Sequence, residues 1–512
     1  MIPAILNAVR GFLSGDGALI LPEMELTLFA CGILVIDRWL SAKEKHWNAL
    51  LALAGTAFSA FTLDVQLGKM QALRAANPES PGLLGLRQSV LVDPFFLFFA
   101  ALFLSATALT ILLSVRYLEA RQERRGAYYA LLLFACVGMM LMVSSVHLAG
   151  VLLGLEILSL SSFLLTGFAR SGMATTGASR SYAFLWACSS FALAGGFLTL
   201  YQLYGTSNLG RIGAILETRL NDGVAFGGLT AWPSVLALSL LAIGSFFLID
   251  AGLFHWFAPG ICESVPTPIA GFLSAAATAA GFALLLRFFS FLFVFAHEKW
   301  IHVWGGIAIV SLLWGNIAAL RQTNLKRMLV YGSVAQTGFT LLGLVAGNEA
   351  GFSGMIYYLS VNLFMTMGAF GILVLLEQPG AGAITLSDVD GLYRRNPAAA
   401  LLLLIFMMAL AGVPPTAGFQ AKYYIVKALL AHPHPELAAF AVVCALLSVY
   451  SYGRVAAHAF KKPSGEASSI ELPALTISSG QTVALTAAVF VSLAAGLYPE
   501  PFVRLARYAF GQ

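Results

Sequence analysis

Apolar runs of about 20 residues, separated by short polar or Pro/Gly-containing stretches, recur along the whole chain. A run of this length lets a helix cross a hydrocarbon core about 30 Å thick. The pattern predicts about fourteen membrane spans, near residues 18–40, 47–66, 93–115, 127–145, 147–169, 180–204, 232–258, 266–296, 303–320, 326–346, 353–377, 398–430, 437–460 and 482–502. The predicted fold class is therefore an all-α polytopic membrane protein.

Two of the predicted spans, 232–258 and 398–430, are longer than a bilayer requires and contain or adjoin prolines. The prolines of the predicted helix breaks are Pro259, Pro266 and Pro268 for the first stretch and Pro414 and Pro415 for the second. Proline removes a backbone donor and clashes with the preceding turn, so both helices are expected to be broken. They are the seventh and twelfth spans, as a five-helix unit repeated twice would place them. Paired broken helices in two halves indicate an ion path near the midplane.

Composition supports a lipid-facing protein and excludes several kinds of chemistry. Of the 512 residues, 59% are hydrophobic and only 10% are charged, whereas soluble domains carry about 25% charged residues. The five cysteines are scattered without C-x-x-C spacing, which predicts neither a metal site nor an iron–sulfur cluster. The sequence also has no nucleotide-binding loop, dinucleotide fingerprint or nucleophile elbow.

The net charge of +5 arises from basic residues in short loops rather than from one patch, which argues against nucleic-acid binding. Seventeen of the 29 Lys and Arg residues follow odd-numbered spans, eleven lie on the other face or at the termini, and Lys422 lies inside a span. Because basic loops are retained in the cytoplasm, both termini are predicted to be periplasmic.

Four ionisable side chains within the predicted spans stand out, because a charge there costs about 3 kcal/mol on insertion scales and marks a functional site by default. Glu156 lies near the middle of the fifth span, far from either basic loop. It is predicted to belong to a proton path, although a neutral carboxyl hydrogen-bonded to Ser159 is the structural alternative.

The other three ionisable residues lie at the predicted breaks. Lys422 follows Pro415, so freed carbonyls could solvate its ammonium and let it release a proton; snorkelling to the interface is the alternative. His255 is either a proton relay or a structural hydrogen-bond donor. Asp250 either joins a hydrated proton chain or caps the start of a half-helix.

Several stretches together resemble one protein family. They are Leu21-Pro22-Glu23, Gly154 to Leu160, Phe254-His255-Trp256-Phe257-Ala258-Pro259, Pro266-Thr267-Pro268, Thr323 to Leu329, and Pro414 to Phe419 followed by Lys422. On these residues nearly the whole chain resembles the antiporter-like membrane subunits of respiratory complex I, most closely the N subunits of bacterial NADH-quinone oxidoreductase.

This resemblance implies two inverted five-helix repeats, helices 4–8 and 9–13, and a division of the chain at 1–126, 127–296, 297–462 and 463–512. It implies proton translocation across the bacterial inner membrane, coupled to quinone reduction by other membrane and peripheral subunits of the complex. The chain would then be part of a translocating enzyme without redox chemistry of its own. The parent complex would use NADH, FMN, iron–sulfur clusters and quinone, none of them bound by this subunit.

The proton path that the resemblance implies is only partly present. Glu156 and Lys422 match its first and last residues, but its two middle lysine positions fall on Leu248 and Thr278. The position of a histidine on the tenth helix falls on Gln336.

Two hypotheses for mechanism follow. In the first, an altered path runs through ordered water and the residues Glu156, Asp250, His255, Thr278 and Lys422. In the second, the channel does not conduct and the chain is a structural membrane subunit. A stand-alone or hydrogenase-associated cation/proton antiporter subunit is a third possibility, which co-purification would distinguish.

Overall fold

The protein is described here from a computed structural model. It describes residues 15–41, 44–78, 80–121, 125–168, 173–221, 232–251, 260, 263, 265–293, 297–377, 383–431, 435–461 and 477–510. His255 and Pro259 lie outside these residues, so the structure does not bear on their predicted roles.

The described chain is almost entirely helical. The helices are α1 Leu21–Ile36, α2 Trp47–Ala76, α3 Pro94–Arg121, α4 Arg125–Ser144, α5 Leu148–Thr166, α6 Met173–Tyr204, α7 Leu209–Asn221, α8 Trp232–Leu248, α9 Thr267–Phe293, α10 His297–Arg321, α11 Leu325–Ala346, α12 Glu349–Leu376, α13 Leu392–Arg395, α14 Pro397–Ala411, α15 Ala417–Leu430, α16 Glu436–Phe460, α17 Ser479–Leu497 and α18 Glu500–Ala509. Short 3-10 turns occupy Asp16–Leu19 and Leu386–Val389.

Within the described residues, eleven helices are long and apolar enough to cross a membrane, and α8 and α14 are shorter apolar helices. The predicted helical membrane fold is therefore confirmed. Helix α1 has 16 residues and coincides with the first predicted span. The count of fourteen spans stays a prediction, because three of the predicted spans correspond to these shorter helices.

One small β-hairpin departs from the all-α prediction. Strands β1 Leu83–Gly85 and β2 Val90–Val92 pair antiparallel between α2 and α3. They lie on the side of the bundle where α1 begins, which we call the N-terminal face. Val90 also bridges to Ser145 just after α4, so the hairpin links the α2–α3 connection to the α4–α5 connection.

The prolines after the first broken span do not all break a helix. Pro266 precedes the first residue of α9 and Pro268 lies in its first turn. Proline is tolerated there because the amide groups of a first turn have no intrahelical partner. Pro266 and Pro268 therefore lie where the next helix begins, at the predicted start of the eighth span.

Two isolated antiparallel bridges reveal an internal repeat. His147, just before α5, pairs with Asn208 beyond α6, and Asn324, just before α11, pairs with Thr385 beyond α12. Each residue of the second bridge lies 177 positions after its counterpart in the first. With five predicted spans separating the starts of α5 and α11, the bridges fall on opposite faces, as in an inverted repeat.

Helix packing repeats with the same spacing. A Cβ atom placed on Gly138 of α4 would lie 2.5 Å from the amide nitrogen of Leu158, so α4 and α5 touch backbone to backbone. Gly315 of α10 stands in the same relation to Ala335 of α11, again 177 residues later. Small residues allow such close approach in a membrane, where helices gain little from burying apolar surface against one another. These matched features favour two five-helix repeats.

Helices α9 and α11 form the centre of the bundle. In each, 94% of the most apolar 18-residue window is buried within the protein, against 33% for α6 and for α16. Polar side chains on α9 and α11 therefore face other helices rather than lipid.

Candidate functional site

The first break ends α8 at Leu248, ten residues before the predicted end of the seventh span. The amide of Ala251 donates to the carbonyl of Phe246 at 2.9 Å, and Asp250 has the left-handed φ of 52°. This is the usual hydrogen-bond pattern of a helix C-terminus, in which aspartate tolerates the left-handed position better than most residues. Asp250 therefore follows the end of α8, and the residues that would have to begin a half-helix after it, 252–259, lie outside the described part of the chain.

The second break repeats this geometry. The amide of Val413 donates to the carbonyl of Met408 at 3.0 Å, and Gly412 has a φ of 82°. Glycine adopts this conformation without strain because it has no Cβ. The two broken helices thus end alike, one with a glycine and the other with a carboxylate.

Lys422 extends from the second turn of α15 back to this break. Its ammonium nitrogen donates to the carbonyls of Ala411 at 2.8 Å and Leu410 at 3.2 Å, and it lies 4.9 Å from the centre of the Phe339 ring. The side chain is buried, with 6% of its surface exposed, so it does not snorkel to the interface. The carbonyl end of α14 carries partial negative charge, which stabilises a cation there. The carbonyl contacts predicted from the sequence are present.

Gln336, on the central helix α11, shares a carbonyl partner with Lys422 of α15. Its side-chain nitrogen donates to the carbonyl of Leu410 at 3.2 Å, so this carbonyl accepts from both residues. Its side-chain oxygen accepts from the Tyr358 hydroxyl, and the Tyr452 hydroxyl also hydrogen-bonds to Gln336. The position that the resemblance assigns to a histidine is thus the centre of a buried hydrogen-bond network.

The next residue of α11 contacts the other break. The hydroxyl of Thr337 donates to the carbonyl of Ile249 at 2.9 Å, one residue before Asp250. Adjacent side chains of one helix therefore bind freed carbonyls of both breaks. We call the set formed by Asp250, Ile249, Thr337, Gln336 and Lys422, together with the Leu410 carbonyl, the polar axis.

Leu248 and Thr278, which occupy the two positions where the resemblance implies lysines, add no charge to the polar axis. Thr278 donates its hydroxyl to the carbonyl of Leu273 at 3.2 Å, within a π-helical turn of α9. Such a turn widens the helix and frees carbonyls, which the threonine satisfies locally. Leu248 packs on α9 so closely that a Cβ on Gly281 would lie 2.7 Å from its own. The first break is therefore packed by an aliphatic side chain where the resemblance implies an ammonium.

Glu156 is not part of the polar axis. It lies on α5 and is half-buried. In the part of the chain that the structure describes, no hydrogen bond joins its carboxylate to Ser159 or to another residue, and its role in the path stays a prediction. In the structure Thr337 binds the carbonyl next to Asp250, and Lys422 shares the Leu410 carbonyl with Gln336. Thr278 lies on the neighbouring helix α9, and Glu156 lies apart from these residues.

An ion pair that the sequence analysis missed lies near the N-terminal face. Arg287 of α9 donates to both carboxylate oxygens of Asp93, at 2.6 and 2.7 Å, and to the carbonyl of Val143 at 3.1 Å. Both side chains are buried. Arg287 lies inside the predicted eighth span, where an ionisable residue indicates a functional site, but its partner Asp93 is far away in the sequence.

The second repeat has a related contact. Arg454 of α16 donates to the carbonyl of Leu320 at 3.0 Å, and Leu320 lies 177 residues after Val143. An arginine near the end of the fifth helix thus binds the last turn of the first helix in both repeats.

The connection between α8 and α9 is anchored on the face opposite the N-terminal face. Lys326, in the first turn of α11, donates to the carbonyl of Val265 at 2.6 Å, and Arg327 donates to the carboxylate of Glu263. Glu377 at the end of α12 accepts from Thr267 at the start of α9. These bonds hold Glu263, Val265 and Thr267, described residues just before and at the start of α9.

Known proteins are similar to this sequence over most of its length. The transmembrane domain of the NADH:quinone oxidoreductase/Mrp antiporter family matches residues 145–448. NADH-quinone oxidoreductase subunit N 1 of Koribacter versatilis strain Ellin345 is 38% identical over 498 residues, which cover 96% of this chain and 95% of that protein.

Solved structures share the fold. A chain of respiratory complex I from Thermus thermophilus, determined with bound aureothin, matches with a TM-score of 0.76 and 27% identity, over 95% of this chain and 99% of that one. A chain of the membrane-bound sulfane sulfur reductase, an archaeal respiratory membrane complex, matches with a TM-score of 0.83 over 97% of both chains. At 20% identity this second match supports the fold alone.

The repeated bridges, the two broken helices and the buried lysine define an antiporter-like polytopic membrane protein. The extent of the family match and the identity to curated relatives make the assignment more specific. The chain belongs to the NADH:quinone oxidoreductase/Mrp antiporter family, among the subunit N proteins of NADH-quinone oxidoreductase.

Proposed function

We propose that the chain is a membrane-arm subunit of an NADH-quinone oxidoreductase and moves protons across the membrane, coupled to quinone reduction by other subunits. The observation that carries this proposal is the polar axis, in which a buried lysine and both helix breaks are joined through α11. Buried networks of this kind are costly unless satisfied, and in membrane proteins they mark ion and proton paths.

Lys422 is the proposed proton carrier of this path. The Lys422 ammonium is stabilised by backbone carbonyls and by the Phe339 ring and has no counter-ion among the described residues, so losing a proton removes a buried charge. The carbonyls of Leu410 and Ala411 can accept from the nitrogen in either state, since a neutral amine still has N–H donors. Gln336 itself cannot titrate, so the tyrosine hydroxyls and ordered water would have to complete the connection that a histidine provides elsewhere.

Asp250 and Thr278 are the proposed groups of the first half of the path, with His255 and Glu156 as its further members. Asp250 lies one residue from the carbonyl that Thr337 binds, which links it to Lys422 through α11. Thr278 lies three residues from Gly281, the residue of α9 that packs against the first break.

The close packing of Leu248 on α9 favours the alternative, a non-conducting subunit, because it leaves little room for water between α8 and α9. In that case the fold would complete the membrane arm and protons would pass through other subunits. Only a measurement of proton stoichiometry separates the two functions.

The test uses the intact complex reconstituted in liposomes, with the ratio of protons moved to NADH oxidised as the readout. Lys422→Met and Glu156→Gln are expected to lower this ratio. Lys427→Met is the matched control, because Lys427 is an exposed lysine on the same helix, five residues further on. Quinone reduction by the uncoupled complex checks that each variant assembles.

An unchanged ratio in both Lys422→Met and Glu156→Gln would refute translocation by this chain and leave the structural role. A ratio lowered equally by Lys427→Met would show that the loss reflects assembly rather than the path.

The proposal includes the setting of the protein. The parent complex would supply NADH, FMN, iron–sulfur clusters and quinone, and the partners would be its other membrane and peripheral subunits. The distribution of basic residues supports a bacterial inner membrane with both termini in the periplasm. Co-purification with iron–sulfur subunits tests this setting, and a chain that purifies alone would instead indicate a free antiporter.

A further inference from the structure

Glu23 is a buried carboxyl group outside the polar axis. It lies in the first turn of α1, close to the N-terminal face, and only 3% of its surface is exposed. Both of its carboxylate oxygens are buried and, among the described residues, neither accepts a well-formed hydrogen bond. An orphaned pair of acceptors of this kind requires an explanation, since buried polar groups in native structures are nearly always satisfied.

The side chain faces α4 rather than the lipid. On α4 the hydroxyl of Ser144 faces the carboxyl group, and the thiol of Cys136, whose hydrogen-bond partner is Thr107, lies nearby. On the other side, α2 packs against the same turn, where Ser59 donates to the carbonyl of Pro22 at 3.2 Å. Among the described residues, no lysine, arginine or histidine pairs with Glu23.

Its neighbour on the same helix has a different environment. Glu25 is only partly buried and accepts a hydrogen bond from the Thr62 hydroxyl at 2.9 Å. The two glutamates are two residues apart, so they leave the helix in different directions. Glu23 alone is turned into the protein.

An ionised carboxylate at this position would lose its hydration without gaining a cation. The first turn of a helix does favour negative charge through its amide groups. That effect is weaker than the cost of transferring an unpaired carboxylate out of water. A carboxylic acid that retains its proton avoids this cost.

The surroundings connect Glu23 to the first repeat. Ser144 follows Val143, whose carbonyl accepts the hydrogen bond from Arg287, and Arg287 is paired with Asp93. Polar groups therefore extend from α9, a helix of the proposed path, to α1 at the N-terminal face.

We propose that Glu23 is a proton-binding site in the N-terminal helices, separate from the polar axis, which takes up and releases a proton at its carboxylate in exchange with water at the N-terminal face. The site goes beyond the proposed path and does not require that path to conduct.

Infrared difference spectroscopy tests this proposal on the purified complex, with spectra recorded as the pH is raised and lowered over the same film. A protonated carboxyl group gives a C=O stretching band that shifts in D2O. We expect this band to be reduced by one carboxyl group in Glu23→Gln relative to wild type. Glu25→Gln, the matched control, is expected to retain it.

Two results would overturn the proposal: identical carboxyl bands in wild type and Glu23→Gln, or a difference band that does not respond to pH. If Glu23→Gln fails to assemble, Glu23→Asp keeps the carboxyl group and is expected to shift the band instead, and an unshifted band would count against the site. Because the readout is spectroscopic, it is independent of proton stoichiometry, so the proposed function and this site can fail separately.

Discussion

Replacing one partner of the Asp93–Arg287 pair tests how strongly the first repeat is held to the N-terminal helices. The guanidinium makes two short charge-assisted bonds to the carboxylate and a third bond to the carbonyl of Val143, and both side chains are buried. In Arg287→Met the carboxylate remains without a cation, and in Asp93→Asn the guanidinium remains without an anion. Breaking a buried pair on one side costs about 3–5 kcal/mol. Asp93→Asn is chosen because it retains the cap on the Phe96 amide at 2.8 Å.

The double variant Asp93→Asn/Arg287→Met should cost less than the two single changes together, because it leaves no unpaired charge. Arg504→Gln is the control, since Arg504 forms an exposed pair with Glu500 one helical turn away. Exposed pairs of this spacing contribute about 0.3–0.5 kcal/mol. The expected order of stability is therefore wild type and Arg504→Gln, then the double variant, then either single variant.

The chain offers a direct assay of unfolding. Cys136 and Cys444 are buried, whereas Cys31 and Cys188 are exposed. With the two exposed cysteines and Cys262 replaced by serine, a thiol-reactive fluorophore reports only the opening of the core as the temperature rises. A Tm for Arg287→Met equal to that of Arg504→Gln would refute the reasoning. So would a double variant whose loss equals the sum of the single losses.

Three further predictions concern the breaks and the repeat. Asp250→Gly should raise the Tm by relieving left-handed strain of about 1 kcal/mol, and Asp250→Ala should not. If the carboxylate of Asp250 carries protons, both variants should lower the proton-to-NADH ratio. If Asp250 only ends the helix, the ratio should be unchanged in Asp250→Gly. Gln336→Leu leaves the Tyr358 hydroxyl without its acceptor and should lower both the Tm and the proton-to-NADH ratio, whereas Gln336→His should keep the proton-to-NADH ratio. Equal proton-to-NADH ratios for the two variants would contradict a role of Gln336 in the path. Gly138→Leu and Gly315→Leu should each lower the Tm similarly by separating helices that touch, and an effect from only one of them would argue against equivalent packing in the two repeats.

Much of the fold follows from the sequence because lipid imposes a simple rule. Each spanning helix must satisfy its own backbone, so apolar length alone locates most of the spans. The prolines at 414 and 415 marked the second break for the same physical reason. The roles of Pro266 and Pro268 are ambiguous in the sequence, because proline is as suitable in the first turn of a helix as it is disruptive in its interior. Only the flanking hydrogen bonds distinguish these cases.

The candidate site was harder to predict. Lys422 and its carbonyl partners could be inferred from the adjoining break, since the break and the lysine are close in sequence. The contacts of Gln336 and Thr337 join residues more than 70 positions apart, which no local pattern reveals. Arg287 was overlooked because a basic residue near the end of a span resembles a loop residue until its partner, Asp93, is known.

The adjacent positions of Gln336 and Thr337 have a mechanical consequence. Successive residues of an α-helix differ by about 1.5 Å along the axis and 100° around it. Each of these two side chains holds the broken end of a different repeat. A slide or rotation of α11 by one residue would therefore break both hydrogen bonds together, so the position of this helix is coupled to the broken ends in both halves of the protein.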